Sequence, residues 1–270
     1  MPTEIDWNDA FDNMGHVSGS EALSGFWSKR AASYRQSDIP IEEEVSYGDH
    51  PRERFDLVLP DGKPKGVVIF VHGGFWVRLD KSYWTDLAEG ARQRGWVVCF
   101  PSYTLAPEAR ISEITQQIGK AVLAIAKKVE GPIRLCGHSA GGHLVTRLIC
   151  RDTPLGADVL ERIDMCMSIS GLHDMRPLMK TKLTDNLRLD LEEARAESVA
   201  LQEPVSDVPD SCWVGGGERP EFIRQSKLLT TIWSGLDADV RLTVDGEHNH
   251  FTVLEGLKTP TSDLVAELLR

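Results

Sequence analysis

Two periodicities alternate along most of this chain. From residue 55 onward, short apolar runs rich in β-branched residues occupy 55–59, 66–72, 96–100, 133–137, 163–170, 212–215 and 240–244. The run 66–72 is apolar at successive positions rather than at every second one, so it predicts a strand buried on both faces, as in a parallel sheet. Between the runs lie segments with helical spacing of apolar positions, at about 80–94, 112–128, 140–151, 220–235 and 261–269. Repeated strand–helix units predict an α/β fold with a mostly parallel central sheet covered by helices on both faces. One stretch breaks the rhythm. Residues 175–210 hold helix formers, LeuGluGluAlaArgAlaGlu among them, but no strand, so they are expected to form an excursion between strands and a candidate lid. Upstream, residues 20–35 put Leu23, Phe26, Trp27, Ala31 and Tyr34 at helical spacing, which predicts an amphipathic helix that packs on the body of the protein. The segment 1–40 then acts as a cap, sharing the lid role with the excursion. No internal repeat, low-complexity tract or Pro/Gly/Ser-rich linker divides the chain, so residues 1–270 are expected to form one domain.

Charge narrows the partners. The formal net charge is −11, the wrong sign for holding a phosphate backbone, so nucleic acid is not an expected partner. The start of the sequence shows acids where a secretory signal has a basic segment and an apolar run, and no stretch has the roughly 20 apolar residues of a membrane helix. Five cysteines (Cys99, Cys136, Cys150, Cys166, Cys212) are scattered, mostly within apolar runs, and none makes a CxxC pair. They read as small buried hydrophobes in a reducing compartment, which makes the cytoplasm the expected location. Assembly is left open, a homodimer included.

The chemistry-bearing residues fall at strand ends. GlyHisSerAlaGly at 137–141 follows a predicted strand and opens a predicted helix, the context that turns GxSxG into a nucleophile elbow with Ser139 exposed on a strained turn. The helix N-terminus behind it favours a developing oxyanion. HisGlyGlyPheTrp at 72–76 ends an upstream strand, where a glycine turn can aim main-chain amides at the same oxygen; the expected donors are Gly74, Phe75 and Ala140. In this architecture the order is nucleophile, acid, base. GluHisAsnHisPhe at 247–251 offers His248 and His250, and His250 is preferred because the apolar residues after it can anchor its loop. For the acid there are two candidates. Glu218 lies on a glycine-rich turn one strand before the histidine, the position that suits a residue holding the imidazole's far nitrogen, whereas Asp174 can instead cap a turn or pair with Arg176. His138 and His143 read as local packing and hydrogen bonding. The HxH pair lacks further ligands elsewhere, so no metal and no cofactor are expected. Trp76, Tyr103, Phe26 and Trp27 are candidates to line a pocket for an aromatic ring.

HGGFW at 72–76, GHSAGGH at 137–143, SGLHDMRPL at 170–178, GERPEFIRQS at 217–226 and HNHFTVLE at 248–255, with the N-terminal stretch FDNMGHVSGSEALSGFWSKRAASYR, resemble the arylformamidase (kynurenine formamidase) branch of the esterase/lipase α/β hydrolases. The resemblance implies an α/β-hydrolase fold and a Ser–acid–His triad on Ser139, Glu218 and His250. Relatives commonly carry Asp where this chain has Glu218. It also implies a small-molecule substrate: an N-formyl arylamine, N-formyl-L-kynurenine foremost, cleaved through a formyl-enzyme. A carboxylesterase or thioesterase acting on small acyl groups is the alternative, and a noncatalytic ligand-binding relative the more remote one. The cluster of the metal-dependent formamidases, of HxGTHxDxPxH type, is not in the sequence.

Overall fold

The computed structural model describes residues 4–205 and 208–270; residues 1–3 of the expected cap and 206–207 of the expected excursion lie outside the described residues. Eight strands form one sheet: β1 Ile41–Ser46, β2 Arg54–Val58, β3 Val67–Val71, β4 Val97–Pro101, β5 Ile133–His138, β6 Ile163–Ile169, β7 Asp210–Gly215 and β8 Val240–Asp245. Their order is β1-β2-β4-β3-β5-β6-β7-β8. The β1–β2 and β2–β4 pairs are antiparallel and every other pair is parallel.

The period-two geometry of a strand explains why the apolar runs lack alternation. Val67, Ile69 and Val71 of β3 enter one hydrophobic cluster while Val68 and Phe70 enter another, on the opposite face of the sheet. On the first face the helix Ile111–Lys128 buries Ile111, Ile114, Ile118, Val122 and Ile125, a stripe at three- and four-residue spacing. On the second face Trp84, Leu87, Leu257 and Val265 close the core. With both faces covered, burial leaves no polar side to alternate with.

Three local outcomes depart from the sequence reading. β1 is an edge strand of sequence IleGluGluGluValSer, exposed at most positions, so no hydrophobic pattern announces it. The expected helix at 80–94 is two 3₁₀ turns, Lys81–Tyr83 and Thr85–Ala88, followed by the short helix Glu89–Gln93. Trp84, at φ −126° and ψ 2°, interrupts it because its ring is drawn into the core. The N-terminal helix runs Leu23–Arg35 and buries Trp27 and Ala31, while Phe26 stays 57 % exposed. Successive helical residues point about 100° apart, so Phe26 and Trp27 do not share a face.

The excursion contains short helices, Leu183–Leu187 and Leu191–Ala196, between 3₁₀ turns at Arg176–Lys180 and Val199–Leu201. It docks on the body through buried polar contacts: Thr115 Oγ1 donates to Glu197 Oε2 at 2.8 Å and His143 Nε2–H donates to the Glu197 carbonyl at 2.8 Å. All five cysteines are buried and unpaired. Among the described residues no helix is long and apolar enough to cross a membrane.

Candidate active site

Ser139 stands between the end of β5 and the helix Ala140–Arg147, at φ 56° and ψ −117°. Positive φ costs a residue with a side chain of order 1–3 kcal/mol, so the surrounding chain must hold this turn in place. The flanking glycines are what permit it: a Cβ on Gly137 would lie 2.1 Å from the Gly141 carbonyl oxygen, and one on Gly141 would lie 1.9 Å from the Val71 carbonyl oxygen. Strand, elbow and helix therefore interlock only without those side chains.

The turn after β3 leans on the elbow. A Cβ on Gly73 would sit 2.9 Å from Ser139 Cβ, and Gly74, Phe75 and Trp76 follow with φ of 109°, 51° and 60°. Among the described residues, the amides of Gly74 and Phe75 donate to no protein acceptor, and neither does that of Ala140 in the first turn of its helix. The turn is buttressed from beneath. Tyr103 stacks on His72 with ring centroids 4.4 Å apart and donates its hydroxyl proton to the His72 carbonyl at 3.0 Å. His72 Nδ1–H donates to the Gly73 carbonyl at 2.8 Å, and burial pushes its pKa down to about 4, so this ring is neutral.

The acid and the base come from neighbouring strands. Glu218 follows β7 and His250 follows β8; His250 Nδ1–H donates to Glu218 Oε2 at 2.7 Å. The other carboxylate oxygen of Glu218 accepts from the Gly215 amide at 2.8 Å and from the Ser170 hydroxyl. This buried carboxylate therefore has a donor on each oxygen. Sequence reasoning missed Ser170; its one signal was a small polar residue at the carboxyl end of a strand, and the φ of 53° that aims it at the acid is a tertiary fact. The His250 ring lies 4.6 Å from both the His138 and Phe222 rings, and its carbonyl accepts from His138 Nε2–H at 2.8 Å. Burial holds the pKa of His138 well below the ordinary value, so it pins the histidine loop without adding charge beside the base. Among the described residues the Ser139 hydroxyl makes no hydrogen bond to the His250 imidazole, a contact of the kind that tightens when a substrate binds.

Asp174 is engaged elsewhere. It pairs with Arg176 at 2.8 Å and accepts from the Arg176 amide, the alternative role the sequence offered it. His248, partly exposed, faces Asp245 at 2.9 Å.

Ser139, His138, His250, Gly74 and Phe75 line one pocket of about 240 Å³. Its outer wall is a strap from the N-terminal segment, contributing Phe11, Asp12, Asn13, Met14, Glu21, Ser24 and Trp27. The aromatic side of the wall is continuous, with Trp27 4.9 Å from Trp84 and 5.9 Å from Phe251, centroid to centroid. Arg219, next in sequence to Glu218, ties the strap down: its amide donates to Asn13 Oδ1 at 2.8 Å, its Nε donates to the Asp9 carbonyl at 3.1 Å, and its guanidinium pairs with the Asp9 carboxylate.

Of the four aromatic pocket candidates only Trp27 lines the pocket. Trp76 is fully buried with its ring edge-on to His143 at 5.3 Å, because the positive φ at 75 and 76 turns it under the sheet edge. Tyr103 is fully buried beneath the glycine turn. Phe26 faces away, with the Arg30 guanidinium 5.2 Å from its ring. The described residues of the 175–210 excursion contribute nothing to this pocket; polar contacts bind the excursion to the helix Ile111–Lys128, and the cover that the described residues show is the strap. No group of three or more His, Cys, Asp or Glu able to hold a metal ion occurs among the described residues.

Residues 68–208 match the family model of the α/β hydrolase fold. A solved structure from Silicibacter sp. TM1040, provisionally named a thioesterase, superposes with a TM-score of 0.93 at 43 % identity, covering 99 % of this chain and 100 % of that one. The chain belongs to the α/β-hydrolase fold family and is a hydrolase. Over 90 % of its length it is 28 % identical to the kynurenine formamidase of Danio rerio, 83 % of which is covered. Esterase B of Lactobacillus rhamnosis shares the fold, with a TM-score of 0.73 at 19 % identity, over 97 % of this chain and 94 % of that one.

Proposed function

We propose that this protein is a serine hydrolase of N-formyl arylamines, with N-formyl-L-kynurenine as its substrate and Ser139, His250 and Glu218 as its triad. The observation that carries the reading is the coupling of Glu218 to His250 Nδ1 behind a pocket that Ser139 also lines, under an aromatic wall. The similarity to a kynurenine formamidase along most of the chain supports the substrate class.

Glu218 fixes the tautomer with the proton on Nδ1, which leaves Nε2 as the base. In the proposed reaction His250 Nε2 takes the Ser139 proton as Oγ adds to the formyl carbon. The amides of Gly74, Phe75 and Ala140 receive the oxyanion; a single such donor is worth about 10²–10³ in kcat. His250 then gives its proton to the arylamine nitrogen as the C–N bond breaks, leaving Ser139 as a formyl ester. Water enters, loses a proton to Nε2 and adds to the same carbon; the tetrahedral adduct collapses, Ser139 Oγ regains its proton from the imidazole, and formate leaves. An arylamine leaves more readily than an alkylamine, so the equipment of an esterase is adequate for this amide.

A thioesterase or carboxylesterase is the second reading, favoured by the Silicibacter neighbour at 43 % identity. Purified protein assayed on N-formyl-L-kynurenine, p-nitrophenyl acetate and a short acyl thioester separates the two. The formamidase reading expects the highest kcat/KM on the formamide. A kcat/KM for the thioester or the ester exceeding that for the formamide by tenfold or more, about 1.4 kcal/mol of transition-state preference, would reverse it.

A further inference from the structure

The strap that walls the pocket is tied to the backing of both the acid and the base. Among the described residues from 4 to 19, only Phe11 and Asn13 are buried. Asn13 Oδ1 accepts from the Arg219 amide at 2.8 Å, so it holds the peptide bond that joins Arg219 to Glu218. Phe11 meets Phe222 edge-on with ring centroids 6.1 Å apart, and the Phe222 ring in turn lies 4.6 Å from the His250 ring. Phe222 is fully buried in the first turn of the helix Pro220–Ser234, which starts directly after Arg219. The two side chains that the strap buries are thus the two that reach the acid's turn and the ring behind the base. The remaining tie, between the Arg219 guanidinium and the Asp9 carboxylate, is partly exposed, and ion pairs of that kind hold a segment only weakly. A segment with so few buried contacts belongs to the part of a fold that opens at low cost.

We propose that Phe11 and Asn13 are positioning residues: seating of the strap sets the geometry of the Glu218–His250 pair, so that covering the pocket and aligning the base are one event. The proposal rests on the Ser139, His250 and Glu218 triad of the reading above and is independent of which acyl group is cleaved. His250 Nδ1–H donates to Glu218 Oε2 at 2.7 Å, and the two residues stand on separate loops, one after β7 and one after β8. With the strap lifted, Phe222 loses the ring behind it and the Arg219 amide loses its acceptor. A displacement of either loop by about 1 Å stretches the Glu218–His250 bond and turns Nε2 away from Ser139, and a misplacement of that size costs about 10²-fold in rate. With the strap seated, both loops are fixed from the strap side, while the Gly215 amide holds Glu218 and the His138 ring backs His250 from the body.

The test separates kcat from KM on the full chain with p-nitrophenyl acetate, an ester small enough to need little of the pocket wall. Asn13→Ala removes the acceptor for the Arg219 amide, and Phe11→Leu removes the ring against Phe222. Each is expected to lower kcat about tenfold or more with KM within about threefold. Asn13→Asp keeps an oxygen for the amide and is expected to stay within about threefold of wild type in kcat. The second readout is the proton on His250 Nδ1, followed by NMR as a low-field resonance identified by its loss in Glu218→Gln. It is expected to persist in Asn13→Asp and to broaden or vanish in Asn13→Ala and Phe11→Leu. Circular dichroism melts verify folding, and should Phe11→Leu lose its thermal transition, Phe11→Met carries the same comparison. A strap that only walls the pocket leaves kcat and the resonance unchanged in Asn13→Ala and Phe11→Leu, and that result overturns the proposal. An Asn13→Asp variant as slow as Asn13→Ala overturns the role of the Asn13 oxygen. Ester hydrolysis that survives Ser139→Ala strikes the triad reading instead, and the Nδ1 resonance in the strap variants then decides the proposal by itself.

Discussion

Replacing Glu218 by Gln tests the acid assignment because the geometry forces a definite chemical consequence. One oxygen of the carboxylate accepts from the Gly215 amide at 2.8 Å and from the Ser170 hydroxyl, so a glutamine must place its carbonyl oxygen there. Its NH₂ group then faces His250 Nδ1, where the carboxylate accepted at 2.7 Å. Two donors cannot share that contact, so the imidazole adopts the other tautomer, with the proton on Nε2 and no lone pair for Ser139. The same acid-to-amide change in a Ser–His–Asp protease lowers kcat by about 10⁴ while leaving the geometry intact. A loss of about 10³–10⁴ in kcat, with KM within a few-fold, is therefore expected for Glu218→Gln on p-nitrophenyl acetate. Asp174→Asn is the internal control. Its partner Arg176 is 44 % exposed in the side chain, and pairs of that kind contribute about 0–1 kcal/mol, so kcat should stay within a few-fold. Stopped-flow or steady-state kinetics on both variants, with circular dichroism to verify folding, decide the matter. A Glu218→Gln enzyme within tenfold of wild type, or a severe loss in Asp174→Asn beside it, would refute the reasoning and return Glu218 to the status of a turn residue.

Ser139→Ala should abolish turnover of every substrate, by about 10⁴-fold or more, with an unchanged melting temperature, and EDTA should leave wild-type rates unaltered; residual activity near wild type in the variant would remove the nucleophile. Trp27→Ala should cost about 3–5 kcal/mol in urea denaturation and raise KM for aryl substrates, whereas exposed Phe26→Ala should stay within about 0.5 kcal/mol, and equal effects would contradict the opposed faces of that helix. Acid should destabilise the fold. Burial lowers the pKa of His72 to about 4 and of His143 and His173 to about 3, so below the ordinary value near 6.5 the unfolded chain binds protons that the folded one refuses. Each such ring contributes stability that is fully present above about pH 6.5 and is lost at up to about 1.4 kcal/mol per unit as pH falls toward its folded pKa. Urea midpoints measured from pH 7.5 to 5 should decline accordingly, and a flat profile would count against neutral buried histidines. Gly141→Ala should fail to fold or lose the elbow, since its Cβ would lie 1.9 Å from the Val71 carbonyl oxygen; a stable, active variant would show that the strand can give way.

The parallel body of the sheet and the order of its elements were legible because burial on both faces writes continuous apolar runs, and helices between them write a 3.6-residue stripe. The elbow was legible for a local reason: the strand, the GxSxG turn and the helix are contiguous, and both glycines are needed where backbone meets backbone. Glu218 and His250 could be nominated from chain order and local context: the acid sits on a glycine-rich turn one strand before the histidine, and the histidine precedes apolar residues that anchor its loop. The edge strand β1 could not, since a solvent-facing strand rich in glutamate carries no burial signal. Nor could the pocket wall. Trp27 and Phe26 are adjacent in sequence and both apolar, and only the packing of their helix on Trp84 turns one inward and the other to solvent. Trp76 and Tyr103 look like ligand-binding aromatics until the fold places them under the glycine turn, as its support. The donor from Ser170 and the tie from Arg219 to Asn13 join residues 48 and 206 positions apart. Local propensity is set by near neighbours, whereas such contacts exist only once the sheet has brought its strand ends together; the sequence by itself determined the buried strands and the order of the candidate reacting groups, and the tertiary structure decided what orients them and which side chains line the pocket.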